Sequence, residues 1–352
     1  MRLDEPSWWY SGAGDIRQRL LAPLGQLYGC IAERRYYRHQ PYRSRLPIIC
    51  VGNFTAGGTG KTPLSIAIVR LLIARGERPV FLTRGYGGTT SGPSWVEDTP
   101  GAAKRFGDEP LLLAAVAPTM VARDRRAGII AIEGDRRPLS VVIMDDGLQN
   151  GSVTKDLSIA LVDGKRGIGN GEVIPAGPLR APLDFQIGLV DAIVVRDPPD
   201  LADERGVHAV LRRGFPGPVL VGQVAAVGDT TWLKEKPVVA FAGIANPHRF
   251  YRLLERLGAR LVDSVSFPDH HPFKTSDATR LLGTAQANGA QLVTTEKDQA
   301  RMKSDVALAT LAMEARALPI DLTIDERDLS RLNSLIDAAL QETTRRQRPP
   351  PR

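Results

Sequence analysis

A buried strand that runs into a glycine-rich turn and then a helix constrains a fold more than any composition can, because each part works only beside the other two. Such a stretch is Leu46-Pro-Ile-Ile-Cys-Val-Gly-Asn-Phe-Thr-Ala-Gly-Gly-Thr-Gly-Lys-Thr-Pro63. Backbone N–H groups converge on a polyphosphate only where the chain curls tightly, and residues without a Cβ permit the curl. Gly57, Gly58 and Gly60 supply it, with Thr55, Ala56 and Thr59 completing the loop. Lys61 is then placed to reach the β- and γ-phosphates as a point charge, and Thr62 to offer its hydroxyl to a magnesium ion. The helix that follows presents its positive end to the same anion.

The strict spacing G-x-x-x-x-G-K-[ST] asks for glycine at the position of Thr55. The variant loop of partitioning-type ATPases is nearer, yet Ala56 stands where that loop carries a second, signature lysine. At 352 residues the chain has room for two domains of ordinary size. Its net charge of +7 suggests an anionic partner, which could be nucleic acid, an anionic lipid surface or a phosphorylated substrate. Cys30 and Cys50 lie in apolar segments with no metal-like spacing, which points to a reducing compartment and no disulfide. The first apolar stretch lies too deep for a secretory signal and is followed by arginines.

Residues 1–45 form a segment of their own. Trp8, Trp9 and Tyr10 precede an apolar run from Leu20 to Ala32, about 13 residues with Pro23 inside, short of the ~20 that cross a bilayer. With Arg34, Arg35, Arg38, Arg43 and Arg45 beside it, the run fits a helix lying in the headgroup region of an anionic leaflet. An ordinary helix packed on the domain fits equally well.

From the loop onward strand and helix alternate. A helix runs from about Lys61 to Arg75, and 79–83 is a strand with Arg84-Gly-Tyr-Gly-Gly88 at its carboxyl end, where ligands collect in open α/β sheets. Arg84 and Tyr86 are therefore candidate substrate contacts, with a plain surface turn as the other option. Gly107-Asp-Glu-Pro110 opens a helix and puts Asp108 at the N-cap. Residues 140–146 are an apolar strand ending in Asp145 and Asp146, the form of a Walker B strand whose acid holds magnesium. Further strands are expected at 158–163, 191–195 and 218–222, and the stretch 167–180 is too rich in glycine and proline for helix or strand. These elements make a first domain over 46–235. A second, over 236–343, carries strands at 237–243, 260–267, 291–295 and 318–324 with helices between them and a last one to about Leu340, which predicts another parallel sheet. The basic, proline-rich residues 344–352 read as a disordered tail.

Taken together, Gly57-Gly-Thr-Gly-Lys-Thr-Pro63, Arg84-Gly-Tyr-Gly87, Gly107-Asp-Glu-Pro110, Asp145-Asp-Gly-Leu-Gln149, Pro175-Ala-Gly-Pro-Leu-Arg180, Phe267-Pro-Asp-His270 and Thr295-Glu-Lys-Asp298 resemble the tetraacyldisaccharide 4′-kinases. These enzymes phosphorylate the lipid A precursor in Gram-negative bacteria, and the likeness covers nearly the whole chain in order. It implies two parallel-sheet α/β/α domains, the first P-loop NTPase-like, with a cleft between them and an N-terminal membrane-associated helix. It also implies ATP and Mg2+ as cofactors, with the 4′-hydroxyl of an acylated glucosamine disaccharide 1-phosphate as acceptor and lipid IVA as product. The expected place is the cytoplasmic face of the inner membrane, peripheral or monotopic.

By the same resemblance Lys61 and Thr62 match phosphate and magnesium residues, Asp145 and Asp146 the Walker B carboxylates, and Arg180 an arginine near the phosphates. Asp108 and His270 match a base dyad, which replaces the cap as the role of Asp108. Gln149 joins Arg84 and Tyr86 as a candidate substrate contact. Ala181, Leu148 and Asn150 depart from the usual glutamate, aromatic and histidine, and because of Ala181 no acid is assigned to its loop. Thr295-Glu-Lys-Asp298 receives no role.

Because His270 belongs to the second domain, the dyad is expected to form when the cleft closes and excludes water. The rival is a partitioning- or metal-insertion-type NTPase that acts as a switch on a protein partner. Ala56 and the second domain argue against it. The basic residues lie near the aromatic N-terminus and in the tail, which suits anionic lipid at least as well as nucleic acid. Neither nucleic acid nor an obligate protein partner is expected.

Overall fold

The computed structural model describes residues 5–10, 15–57, 60–198, 211–212, 214–244, 246–303 and 305–347. A first sheet is built from β1 (Ile48–Gly52), β2 (Pro79–Thr83), β3 (Ser94–Trp95), β4 (Thr119–Val121), β5 (Val141–Asp145), β6 (Leu157–Asp163), β7 (Ala192–Arg196) and β8 (Val219–Ala226). A second holds β9 (Pro237–Ala242), β10 (Arg260–Ser266), β11 (Gln291–Thr295) and β12 (Arg316–Leu318), after which β13 (Ile320–Ile324) rejoins the first. The helices are α1 (Ile16–Tyr37), α2 (Lys61–Ala74), α3 (Ala102–Phe106), α4 (Asp108–Ala114), α5 (Arg125–Glu133) and α6 (Leu183–Ile187) in the first part. They continue with α7 (Pro247–Arg256), α8 (Thr275–Ala287), α9 (Glu296–Lys303), α10 (Ala309–Glu314) and α11 (Glu326–Gln347).

Strands β1, β5, β6 and β7 are buried along their whole length. Continuous apolar runs of that kind suit parallel strands covered on both faces. The first sheet runs β13-β8-β7-β6-β1-β5-β2-β4-β3, antiparallel only at its two edge pairs, and the second runs β10-β9-β11-β12 with every pair parallel. The expected α/β class with two sheets therefore holds. The chain leaves β1 toward β2 but leaves the adjacent β6 toward β7. Two neighbouring strands whose connections diverge open a crevice at their carboxyl ends, the usual ligand position in such sheets.

The second unit does not keep its expected extent. Residues 318–324, read as one strand, are divided at Pro319, which has no N–H to lend to a ladder. β12 stays in the second sheet, while β13 pairs antiparallel with β8, Leu322 opposite Val224. α11 follows it, and its Leu332, Ile336 and Ala339 share a core with Leu64, Ile68 and Leu72 of α2. The chain thus enters and leaves the second unit through two paired strands. α11 also outruns its expected end: Arg346 in its last turn bonds Asp156 at 2.8 Å and Glu342 at 3.0 Å. Of the tail expected to be disordered, residues 344–347 are helical and 348–352 lie outside the described residues.

α1 docks by small residues. A Cβ at Gly25 would come 2.6 Å from the Val173 carbonyl oxygen, and one at Gly29 would come 3.1 Å from the Pro182 ring. Its opposite face leaves Ile16, Leu20, Leu24, Leu27 and Ile31 exposed, at three- and four-residue spacing. Among the described residues no helix is long and apolar enough to cross a membrane.

Candidate active site

The phosphate loop starts where β1 ends. Gly52 packs so closely on Leu148 that a Cβ would come 2.5 Å from that side chain. Gly57 and Gly60 take φ of 91° and 86°, which side chains resist, and Gly60 is the N-cap of α2. Lys61 and Thr62 therefore open the helix at its positive end. Gly58 and Thr59 lie outside the described residues. The 167–180 stretch runs alongside the loop. Ala56 N–H donates to Pro178 O at 2.8 Å, Arg180 N–H to Phe54 O at 2.9 Å, and Arg180 Nε–H to Thr55 O at 3.0 Å.

Asp145 closes β5, and Asp146 follows with φ of 54°, which sends the two carboxylates to different partners. Asp146 Oδ1 lies 2.8 Å from Arg180 Nη1 and 3.6 Å from Lys61 Nζ. Burial alone would raise the Asp146 pKa, but Lys61 and Arg180 outweigh it and hold the group well below the usual carboxylate range. Asp145 goes the other way. It accepts from Ser65 Oγ at 2.8 Å and is pushed up to about 7, by burial first and then by Glu109 and Asp146. A buried carboxylate crowded by other carboxylates is the oxygen-donor chemistry that a hard divalent cation satisfies. With Thr62 at the start of α2, the donor set fits magnesium.

Asp108 is not the N-cap of α4. That position belongs to Gly107, whose φ is 94°, and the Asp108 side chain makes no capping bond. Its carboxylate turns instead to the second unit, where His270 Nδ1 lies 2.9 Å and Arg301 Nη2 2.6 Å from Oδ2. His270, in the turn after β10, has φ of 58° and donates its backbone N–H to Gly243 O at 3.1 Å. Burial would raise Asp108, yet the hydrogen bond to His270 and the charges of Lys297 and Arg301 hold it well below the usual range. α9, which carries Lys297 and Arg301, packs on α4 across the two units. A second bridge stands near the phosphate loop. Arg249 of α7 reaches Asp163 at 3.1 Å and pairs with Asp197, while Arg196, which pairs with Asp163, puts its guanidinium against Gly60.

The family model for tetraacyldisaccharide-1-P 4′-kinase matches residues 17–341. The chain belongs to this family. It is 46% identical to the tetraacyldisaccharide 4′-kinase of Paramagnetospirillum magneticum, over 94% of this chain and 97% of the relative. To that of Parvibaculum lavamentivorans it is 43% identical, over 97% and 99%. The solved "apo" form of LpxK from Aquifex aeolicus in complex with ATP has the same fold, with a TM-score of 0.70 at 25% identity, covering 92% of this chain and 99% of that one. Membership of the tetraacyldisaccharide 4′-kinase family makes the chain a kinase of lipid A biosynthesis, and the partitioning-type switch is not favoured.

Within this family member the residues expected at the site fall into three places. Lys61, Thr62, Asp145, Asp146 and Arg180 gather at the carboxyl ends of β1 and β5, and Asp108 meets His270 beside them. Tyr86 is exposed with its ring 6.1 Å from that of His270, and Arg84 is exposed two residues before it. Gln149 stands apart. Its Nε2 donates to Asn53 O at 2.8 Å and Gln186 Oε1 at 2.7 Å, so it props the loop from inside. Sequence reasoning missed Ser65, Arg125, Lys297, Arg301 and Arg249. Arg125 is buried behind Asp145 and donates to its carbonyl at 3.3 Å. Lys297 and Arg301 stand four apart, which on a helix is one face, and that spacing was the available signal.

Proposed function

We propose that this kinase binds ATP in the loop between β1 and α2 and transfers its γ-phosphoryl group to the 4′-hydroxyl of an acylated glucosamine disaccharide 1-phosphate. The observation that carries the reading is the 2.9 Å contact of Asp108 with His270 from opposite units, next to the Asp146 carboxylate paired with Lys61 and Arg180. Glu109 links the two groups, since it follows Asp108 and lies close enough to Asp145 to raise its pKa.

Phosphoryl transfer asks the protein chiefly to position groups and balance charge. Lys61 and Arg180, which lean on Asp146, hold the phosphoryl oxygens. Thr62, Asp145 and Asp146 would hold magnesium, which would supply positive charge against those oxygens. Asp108 accepts the proton of the sugar hydroxyl, and His270 orients its carboxylate. The contact between α4 and α9 keeps water from the reacting centre. Tyr86, exposed beside His270, and Arg84, exposed two residues before it, contact the acceptor.

The exposed stripe of α1 enters the headgroup region of the cytoplasmic leaflet, with Arg34 and Arg35 in its last turn facing anionic lipid. The enzyme is then peripheral or monotopic at the inner membrane. Labelled ATP with an acylated disaccharide 1-phosphate in detergent tests the proposal against DNA and against no acceptor. Label should move to the lipid alone, and equal release of phosphate in all three tubes would refute the reading.

A further inference from the structure

Lys297 reaches both members of the proton-accepting pair and the carboxylates flanking them. Its Nζ lies 3.2 Å from His270 Nε2, 3.2 Å from Glu109 Oε1, 3.7 Å from Asp269 Oδ1 and 3.9 Å from Asp108 Oδ2. The first turn of α9 is anchored to hold it there. Asp298, fully buried, accepts from Gly243 N–H at 3.0 Å, from Thr295 Oγ at 2.7 Å and from Arg301 Nη1 at 2.9 Å.

The hydrogen-bonding partners around His270 favour one arrangement. Burial lowers the Lys297 pKa, but Glu109, Asp108 and Asp269 more than restore it and hold the group above its ordinary value, so Nζ is an ammonium. An ammonium has three hydrogens and no lone pair, so the ring nitrogen facing it must be an acceptor. On the other side Nδ1 faces Asp108, a carboxylate with no hydrogen to give. Nδ1 must carry the proton. The charged and titratable groups around the ring are Asp108 and Glu109 from α4, Asp269 from its own turn, Lys297 and Arg301 from α9, and the phenol of Tyr86.

We propose that Lys297 is a positioning residue, which selects the Nδ1–H tautomer of His270 and so keeps that hydrogen on Asp108 when the two units meet. It acts through His270 and not on the acceptor. The inference rests on the reading of Asp108 and His270 as the proton-accepting pair. Without Lys297, Nε2 faces the carboxylate of Asp269 at 3.7 Å, an acceptor, and the ring has reason to carry a proton there.

The test uses the full chain in detergent with 15N-labelled histidine, the His270 signals being assigned by their loss in His270→Ala. In long-range 1H–15N spectra at neutral pH the wild type should show a pyridine-like Nε2 and a protonated Nδ1. Lys297→Met should lose the pyridine-like signal and lower kcat ~10²-fold with KM for ATP unchanged, the low end of what a placed acid–base pair contributes. Lys297→Arg, again donor only, should restore both. A protonated Nε2 in the wild type overturns the proposal, as does a pyridine-like Nε2 that survives in Lys297→Met. The wild-type spectrum decides even if the methionine variant fails to fold. Full kcat in His270→Ala would instead defeat the pair as proton acceptor and leave the tautomer assignment standing.

Discussion

His270 Nδ1 lies 2.9 Å from Asp108 Oδ2, across 162 residues of chain and between two separately built sheets. Asp108 forgoes the helix cap that its neighbour Gly107 takes, and His270 accepts a left-handed backbone. Such conformations persist where the surroundings over-determine them: Asp108 is held by His270 and Arg301 of the second unit, and the His270 N–H by Gly243 O within its own.

The pair should behave as a unit in kinetics. Asp108→Asn keeps the shape but cannot take a proton, so kcat should fall ~10²–10⁴-fold while ATP binding is retained. Adding His270→Ala should cost little beyond the worse single change, because residues acting together are not additive. Steady-state rates of the three variants decide it, and near-normal turnover of Asp108→Asn would leave the site without its base.

Acid should weaken the same contact. Asp108 is held low although burial opposes it, by His270, Lys297 and Arg301. A carboxylate whose pKa is lower folded than unfolded adds stability above the unfolded value of ~3.9, and that stability is lost as pH falls toward the folded value. The gap in urea midpoint between wild type and Asp108→Asn should stay constant from about pH 8 to 5 and narrow below about pH 4. A gap that is independent of pH down to 3 would contradict the assignment.

At the phosphate loop, Lys61→Ala should abolish turnover, because Ala56 leaves the loop no second lysine to substitute. Activity above roughly a tenth of wild type would refute the role assigned to Lys61.

For the membrane, the exposed stripe offers a cleaner test than deletion of residues 1–45. Deletion would also uncover Val173 and Pro182, next to the stretch that positions Arg180. Replacing Leu20, Leu24, Leu27 and Ile31 together with serine should release the protein from anionic vesicles in a flotation assay and leave the rate on detergent-dispersed acceptor unchanged. Wild type that is washed off by high salt alone would show that charge and not apolar burial holds it.

What the sequence determined by itself was whatever depends on neighbours along the chain. The turn at Gly57 and Gly60, the strand ending in Asp145 and Asp146, the apolar run of α1 and the order of motifs across both units were all legible, because strand, loop and helix there are built from adjacent residues. Tertiary structure decided everything that depends on which surfaces meet. It broke 318–324 at Pro319 and gave β13 and α11 to the first sheet, where Leu322, Leu332 and Ile336 find an apolar face to cover. It turned Gln149 inward and showed that the segment with no assigned role, Thr295-Glu-Lys-Asp298, carries the lysine on His270. Hydrogen bonds and ion pairs between distant segments depend on distances of a few ångströms that only packing sets, and a linear pattern carries no record of them.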